Sequence, residues 1–529
     1  MRRSILILIL TTVFFAGHAE IVYFDSNSMG FAGDTETKTA RLYTLGEGAS
    51  GEVTIPATVT YNSIEYSVIV GNGGAVTEYS YMGNDGSLQT VKMKITKVNV
   101  SEGITNINDF AFSGCTTLAA VSLPSSLKEI GDNAFRECTS LTDIDLPNGV
   151  VSIGSGAFYD CENLKSIKLP NHITIISSFT FNNNKSLESI TFPTGLVEIE
   201  DAAFQNCESL TSVNFPEGLT EIGDYAFSVC RNLSSVNFPT SLKNIGTFAF
   251  QSCAFQEIEL HEGLLSISKG TVEDGYDEGA FSSNTYLKSI YIPSSVNFIG
   301  DATFADATSM TSMTVSPNNT VYDSRENCNA IIETASNTLI AGCKMTVIPS
   351  SVEAIGHDAF FGIEELGSIK LPEGLKSIAL YSFCRCKGLT DIDIPSSVNN
   401  IEEYAFFNCP DIKSVTARIE NPMTIDEETF GISNGWNAEK NDYNYDDIIY
   451  ETATLYVPAG TIDKYKKTDG WSKFKNIVEL TDTGISDINV QENSETLWYS
   501  IDGKRIEQPT NGIYIKKQKD GTTRKYLVK

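Results

Sequence analysis

Apolar and polar positions along this chain recur with a period of 23 residues. Phe112, Phe135, Phe158, Phe181, Phe204, Phe227 and Phe250 stand at that interval. The series resumes at Phe281 and Phe304, then at Phe360, Phe383 and Phe406, with Phe430 one residue late. Counted from each Phe, Cys falls at +3, Leu at +6, Ile or Val at +9, Leu, Ile or Phe at +11 and Pro at +12. An aliphatic residue follows at +15, Ile at +18, often Gly at +19 and usually Ala at +22. The unit from Phe135 is complete, with Cys138, Leu141, Ile144, Leu146, Pro147, Val150, Ile153, Gly154 and Ala157.

Alternation around +9 and +11 is the period of a half-buried strand, and Pro at +12 cannot donate to a ladder and so ends it. The Ala-Phe pair predicts a short turn or helical segment whose ring fills the space between units. No single unit buries its own apolar side chains, so neighbours must stack. The expected fold is a mostly β solenoid of about 13 coils with short helical turns, a rod roughly 60 Å long at ~4.8 Å per coil. A β-rich N-terminal cap and a small C-terminal β-domain are expected to flank it.

Two interruptions stand out. Nine extra residues between Ile267 and Ala280 include Glu273, Asp274, Tyr276, Asp277 and Glu278, an expected acidic loop. A longer insertion, residues 318–346, follows Val315, and in it 330–334 and 338–341 flank Ala335-Ser336-Asn337 as a predicted hairpin. This segment is either a binding insertion or an enlarged coil that patches a register break. The expected layout is a leader at 1–19, the N-terminal cap at 20–92, the array at 93–432, a closing unit at 433–480 and a basic β-module at 481–529. Arg2 and Arg3, the apolar residues 5–15 and Gly17-His18-Ala19 read as a signal peptide.

The run Ile-x-x-x-Ala-Phe-x-x-Cys-x-x-Leu-x-x-Ile-x-Leu-Pro resembles the leucine-rich repeats of BspA-like bacterial surface proteins over about residues 96–432. That resemblance implies a secreted or surface-exposed protein, some relatives being adhesins for host matrix proteins or other bacteria. The strand Ala453–Pro458 with Tyr465, Trp471 and Phe474 is similar to the closing unit of that family. Trp498 to Arg505, Gly512 to Ile515 and Lys525 to Lys529 read as short strands. They resemble the sorting domain of the type IX secretion pathway, which implies the exterior of a Gram-negative cell.

Charge sharpens this picture. The chain carries 38 Lys+Arg against 67 Asp+Glu, a formal charge of −29. Eight of those Lys/Arg and three acids fall within residues 502–529, so a basic tail follows an acidic body. Such a body argues against a nucleic-acid partner, because phosphate neutralisation needs stripes of Lys and Arg. No stretch beyond the leader approaches a membrane span. With four histidines and no nucleophile, zinc-protease or P-loop motif, no enzyme activity, cofactor or metal is expected.

Eleven cysteines invite a disulfide framework. Eight of them repeat at +3, and identical placement favours a column of buried, reduced thiols. Cys328 and Cys343 differ. A two-residue turn at Ala335-Ser336 would set them opposite each other on the hairpin, which leaves a bridge and two free thiols both open.

Exposed strand positions are what a partner meets. They supply the candidate contact residues Asp143, Asp145, Lys168, Asn214, Asn237, Glu259, Tyr291, Lys370 and Asp393, with Tyr276 from the acidic loop. The face is small, polar and poor in aromatics, which suits an extended protein partner. The expected function is therefore non-enzymatic protein binding by a monomer at the cell surface, adhesion by analogy. A passive scaffold and a glycan-binding component of polysaccharide uptake are the alternatives.

Overall fold

The computed structural model describes residues 21–27, 29–45, 49–71, 78–82, 88–92, 94–268, 279–437, 442–480, 486–487, 497–500, 505–506, 512–517 and 523–528. These are mostly strands and turns, and the α-helices among them are Ile448–Thr452 and Ile462–Tyr465.

Two parallel ladders run along the repeats. The first uses +8 to +10, as in Ser166–Lys168 beside Ser189–Thr191 and Ser212–Asn214 beside Ser235–Asn237. Ser166 pairs with Ser189 and Ile167 with Ile190, a register of one full repeat. The second uses two residues ending at +18: Glu198–Ile199, Glu221–Ile222 and Asn244–Ile245 are consecutive strands of a six-stranded sheet. Ile at +18 was legible as core, but its strand was not, since two residues carry no period of their own.

The Ala-Phe turn is not helical, contrary to one of the two expectations for it. Residues two before and two after the Phe take left-handed φ, such as Asn133 (53°) with Glu137 (59°) and Tyr225 (57°) with Val229 (60°). Alternate N–H groups therefore point to the next coil: Asn133 donates to Ser155 O at 2.8 Å, Phe135 to Ala157 O at 2.8 Å and Glu137 to Tyr159 O at 2.7 Å. These bonds offset a left-handed cost of roughly 1–2 kcal/mol per non-glycine residue. Val229, β-branched, bears that cost worst. Val229→Asn is expected to raise stability by about 1 kcal/mol, since Asn tolerates this conformation. Equilibrium denaturation checks it, and a destabilised variant would mean that Val229 packing outweighs backbone strain.

Inside, the Phe rings form a column. Phe204 and Phe227 stack at 5.0 Å between centroids, and Phe227 and Phe250 at 5.3 Å. Glycine at +19 is a matter of space. An aspartate in the preceding coil lies against it, so a Cβ on Gly154 would sit 2.3 Å from Asp132 Oδ1 and 2.6 Å from Asp132 N. That carboxylate meanwhile accepts the Ser155 N–H at 2.8 Å.

The array is jointed. Buried side chains divide into one core reaching Val315 and a second from Ile348 to Phe474, and the insertion lies between them. Its hairpin, Ala330–Glu333 and Thr338–Gly342, joins the sheet of Ala354–Ile355. Alternate hairpin residues face opposite ways: Ile331 and Ala341 enter the first core, Ala330, Ile332 and Leu339 the second. Gly342 donates its N–H to Ala359 O at 2.7 Å, and its Cα lies so close to Phe360 that a Cβ would come 2.2 Å from the ring. By the pattern of the other coils, Phe304 N–H would use that carbonyl. The N–H groups of Ala302 and Phe304 have no protein acceptor among the described residues. The insertion thus packs as an enlarged coil at a register break.

Tyrosine hydroxyls close the dangling ladder ends. Ile299 N–H donates to Tyr322 Oη at 2.9 Å, and Phe430 N–H to Tyr450 Oη at 3.3 Å. At the N-terminal side, Ile64–Val70 pairs with Asn106–Ile107 and Ser50–Ile55 with Lys94–Val100, so cap strands extend both ladders. At the other end Thr454–Val457 and Asn476–Glu479 continue the first ladder. Trp471 donates Nε1–H to Met423 O at 2.9 Å. Leu497–Ser500, Gly512–Lys517 and Thr523–Val528 form an antiparallel sheet of their own.

Candidate interaction surface

Every candidate contact residue among the described ones is exposed: Asp143, Asp145, Lys168, Asn214, Asn237, Glu259, Tyr291, Lys370 and Asp393. Tyr276 and the acidic loop around it lie outside the described residues. The ladder sets Asn214 beside Asn237 and Lys370 beside Asp393. An isolated bridge from Glu257 to Ser289 aligns the segment of Glu259 with the strand of Tyr291. Asp393 is not a free acid, because Arg418 grips it with two bonds of 2.7 and 2.6 Å. These residues follow one another from coil to coil, with Asp143, Asp145 and Glu259 outside the paired strands, and do not converge on one point. Bond chemistry needs groups held within hydrogen-bond reach of one another, and these residues are not so placed.

Sequence reasoning missed apolar side chains on this surface. Met345 and Val347, at the +8 and +10 places of the coil after the hairpin, are 56% and 72% exposed. The broken template there hid their register.

All eleven cysteines are free and buried. The +3 thiols tie each coil to the one before it. Cys138 Sγ–H donates to Phe112 O at 3.3 Å, Cys161 to Phe135 O at 3.2 Å and Cys386 to Phe360 O at 3.0 Å. Asn284 replaces Cys and makes the same bond, Nδ2–H to Phe250 O at 2.8 Å. A compact donor fills this position in most coils, although Ala307 and Ile363 occupy it without one and the Asn184 amide has no hydrogen-bond partner among the described residues. Burial pushes the Cys161 and Cys230 thiols up to about 12, far from thiolate chemistry. The structure does not join Cys328 and Cys343. The hairpin pairs Ile332 with Leu339 but Ile331 with Ala341, so Ile340 bulges and shifts the register by one. Cys343 then faces Asn329, whose carbonyl accepts its thiol at 3.3 Å, and packs in the first core, while Cys328 packs in the second.

His172, His261 and His357 stand in three different coils, in keeping with their distant positions in the sequence, and His357 Nε2 lies 3.5 Å from Glu402 Oε2. Among the described residues one acidic trio, Glu403, Asp426 and Glu428, brings its carboxylate oxygens within 4.8 Å of one another. The Glu428 carboxyl is pushed up to about 7 by its hydrogen bond with Asp426, by burial and by repulsion from Asp426, Glu427 and Glu403. The folded chain then holds a proton that the unfolded chain releases near the ordinary value of 4.5. Between those values the native state binds more protons, so this group's contribution to stability falls as pH rises. Glu428→Gln is expected to raise the melting temperature at about pH 8 and leave it unchanged at about pH 4. Equal shifts at both would exclude this linkage.

Comparison with known proteins places this geometry. Nothing matches among curated proteins. Among solved structures, a leucine-rich repeat protein from Bacteroides ovatus ATCC 8483 superposes with a TM-score of 0.55 at 26% identity, over 74% of this chain and 94% of that one. A leucine rich cell surface protein from Faecalibacterium prausnitzii A2-165 gives 0.47 at 21% identity, over 85% and 98%. Proteins built from leucine-rich repeats generally mediate protein–protein interaction. The BspA type leucine rich repeat region matches residues 89–211, 197–332 and 336–436, more than half of the sequence, and the chain belongs to that family.

Proposed function

We propose that this protein is exported to the outer surface of a Gram-negative cell and there binds an extracellular protein partner, as an adhesin for host or bacterial surface proteins. The observation that carries the reading is the exposed, in-register first ladder, which presents polar side chains one coil after another. Its spacing of about 4.8 Å per coil distributes contacts along an extended partner. Membership of the BspA-type family supports protein binding and a place at the cell surface. The antiparallel strands within 497–528 support a separate C-terminal module, which we assign to type IX sorting on its sequence. The acidic body would favour basic partners through long-range attraction that weakens with salt.

The test is the full chain against matched arrays of matrix proteins and glycans, at low and physiological salt. Saturable protein binding that survives physiological salt is the expected result. Saturable glycan binding without it would move the reading to polysaccharide uptake, where the exposed Tyr286 and Tyr291 would be the stacking residues. Silence on both would overturn adhesion in favour of a passive scaffold.

A further inference from the structure

The second ladder carries a surface that the polar first ladder lacks. Val151, beside the strand that ends one sheet (Ser152–Ile153), and Ile175 and Val197, at the start of the next sheet, occupy three consecutive coils and are 50%, 42% and 44% exposed. Thr174 and Thr220 share the column of the two valines, since Val197 N–H bonds Thr174 O and Thr220 N–H bonds Val197 O, both at 2.8 Å. Lys128 and Lys243 occupy the same column at either end, so the stripe is bounded. Acids border it: Ile175 is paired with Glu198, and Glu198 with Glu221. Glu200 and Asp201 follow at the corner of the coil. None of these four carboxylates is in an ion pair among the described residues. Partial burial, then repulsion from Glu200, Glu221 and Asp201, raises the Glu198 carboxyl above its ordinary range.

We infer that the stripe of Val151, Ile175 and Val197 is a docking surface for a basic amphipathic helix of a partner protein, lying along the axis of the array. Two features select that occupant. Glu200, Asp201 and Glu221 accept hydrogen bonds from Ser178, Asp224 and Asn244, but no ion pair among the described residues offsets the charge of these carboxylates, which calls for Lys and Arg next to the partner's apolar residues. Coils repeat every ~4.8 Å, and a helix returns to one face about every 5.4 Å, so each turn meets one coil over the three that carry the stripe. An extended strand, with same-face residues about 6.8 Å apart, loses that match after one coil. This surface goes beyond the first-ladder reading above, and either can fail while the other stands.

The test uses the full chain and two labelled peptides of leucine and lysine. One has its leucines on a single helical face, and the other is the same composition scrambled. The helical peptide is expected to bind one to one and at least about tenfold tighter than the scrambled one, a difference near 1.4 kcal/mol. Ile175→Ser with Val197→Ser should remove that preference. Glu198→Gln with Glu221→Gln should instead flatten the salt dependence. All four sites are on the outer side of the ladder, and unchanged melting would show that the variants fold. Equal binding of both peptides, or an unchanged preference in the serine variant, overturns the proposal and leaves only general attraction to an acidic body. The array experiment above is read independently, because its outcome does not require this stripe.

Discussion

Phe227→Ala is expected to cost about 3–5 kcal/mol, the range for deleting a fully buried aromatic side chain. Phe227 is completely buried, stacked on Phe204 and Phe250 and met edge-on by Phe215 at 5.6 Å. The cavity would open in the middle of the column, where hydrogen bonds to both neighbouring coils restrain collapse: Phe227 N–H donates to Ala249 O, and Phe204 N–H to Ala226 O. Hydrogen exchange should localise the loss to the first core. In a stack of repeats stability is a sum of units and neighbour interfaces, so damage spreads only as far as interfaces are strong. A cost below about 1 kcal/mol would mean that the column is not where the coils are held.

Gly342→Ala tests the joint. A Cβ there would overlap the Phe360 ring, and the ring is fully buried between Gly342 and Phe383, which stacks on it at 5.0 Å. Overpacking of this kind costs about 1–3 kcal/mol. The loss is expected in the second core, with protection of coils 135–250 unchanged. Few contacts bridge the joint on the turn side: Asp306 N–H bonds Phe361 O at 2.9 Å, and Arg385 pairs with Asp306 at 2.9 Å. If both cores weaken together in either variant, the hairpin couples them and the joint is not a boundary of cooperativity.

How much of this was legible beforehand depends on where each feature is encoded. The +9 strand, the buried Phe and the Cys column lie within one repeat and recur, so the pattern revealed them without any homologue. The candidate contact line along the first ladder followed from the same alternation, which says what is exposed but not what it binds. The hairpin was found from its own two apolar runs. Its bulge at Ile340 was not, and that single residue separates Cys328 from Cys343.

The sequence by itself determined the repeat, its stacking and the class of surface it presents, because a 23-residue period of core residues has few other ways to bury itself. Only the tertiary structure decided what depends on the next coil. It explained Gly154 by an aspartate one repeat earlier and Cys161 by the Phe135 carbonyl. It split the core at Gly342, closed the ladder ends with Tyr322 and Tyr450, and brought Val151, Ile175 and Val197 into one stripe. Each of these joins residues a coil or more apart, where the spacing of neighbours in the chain carries no information about who will meet.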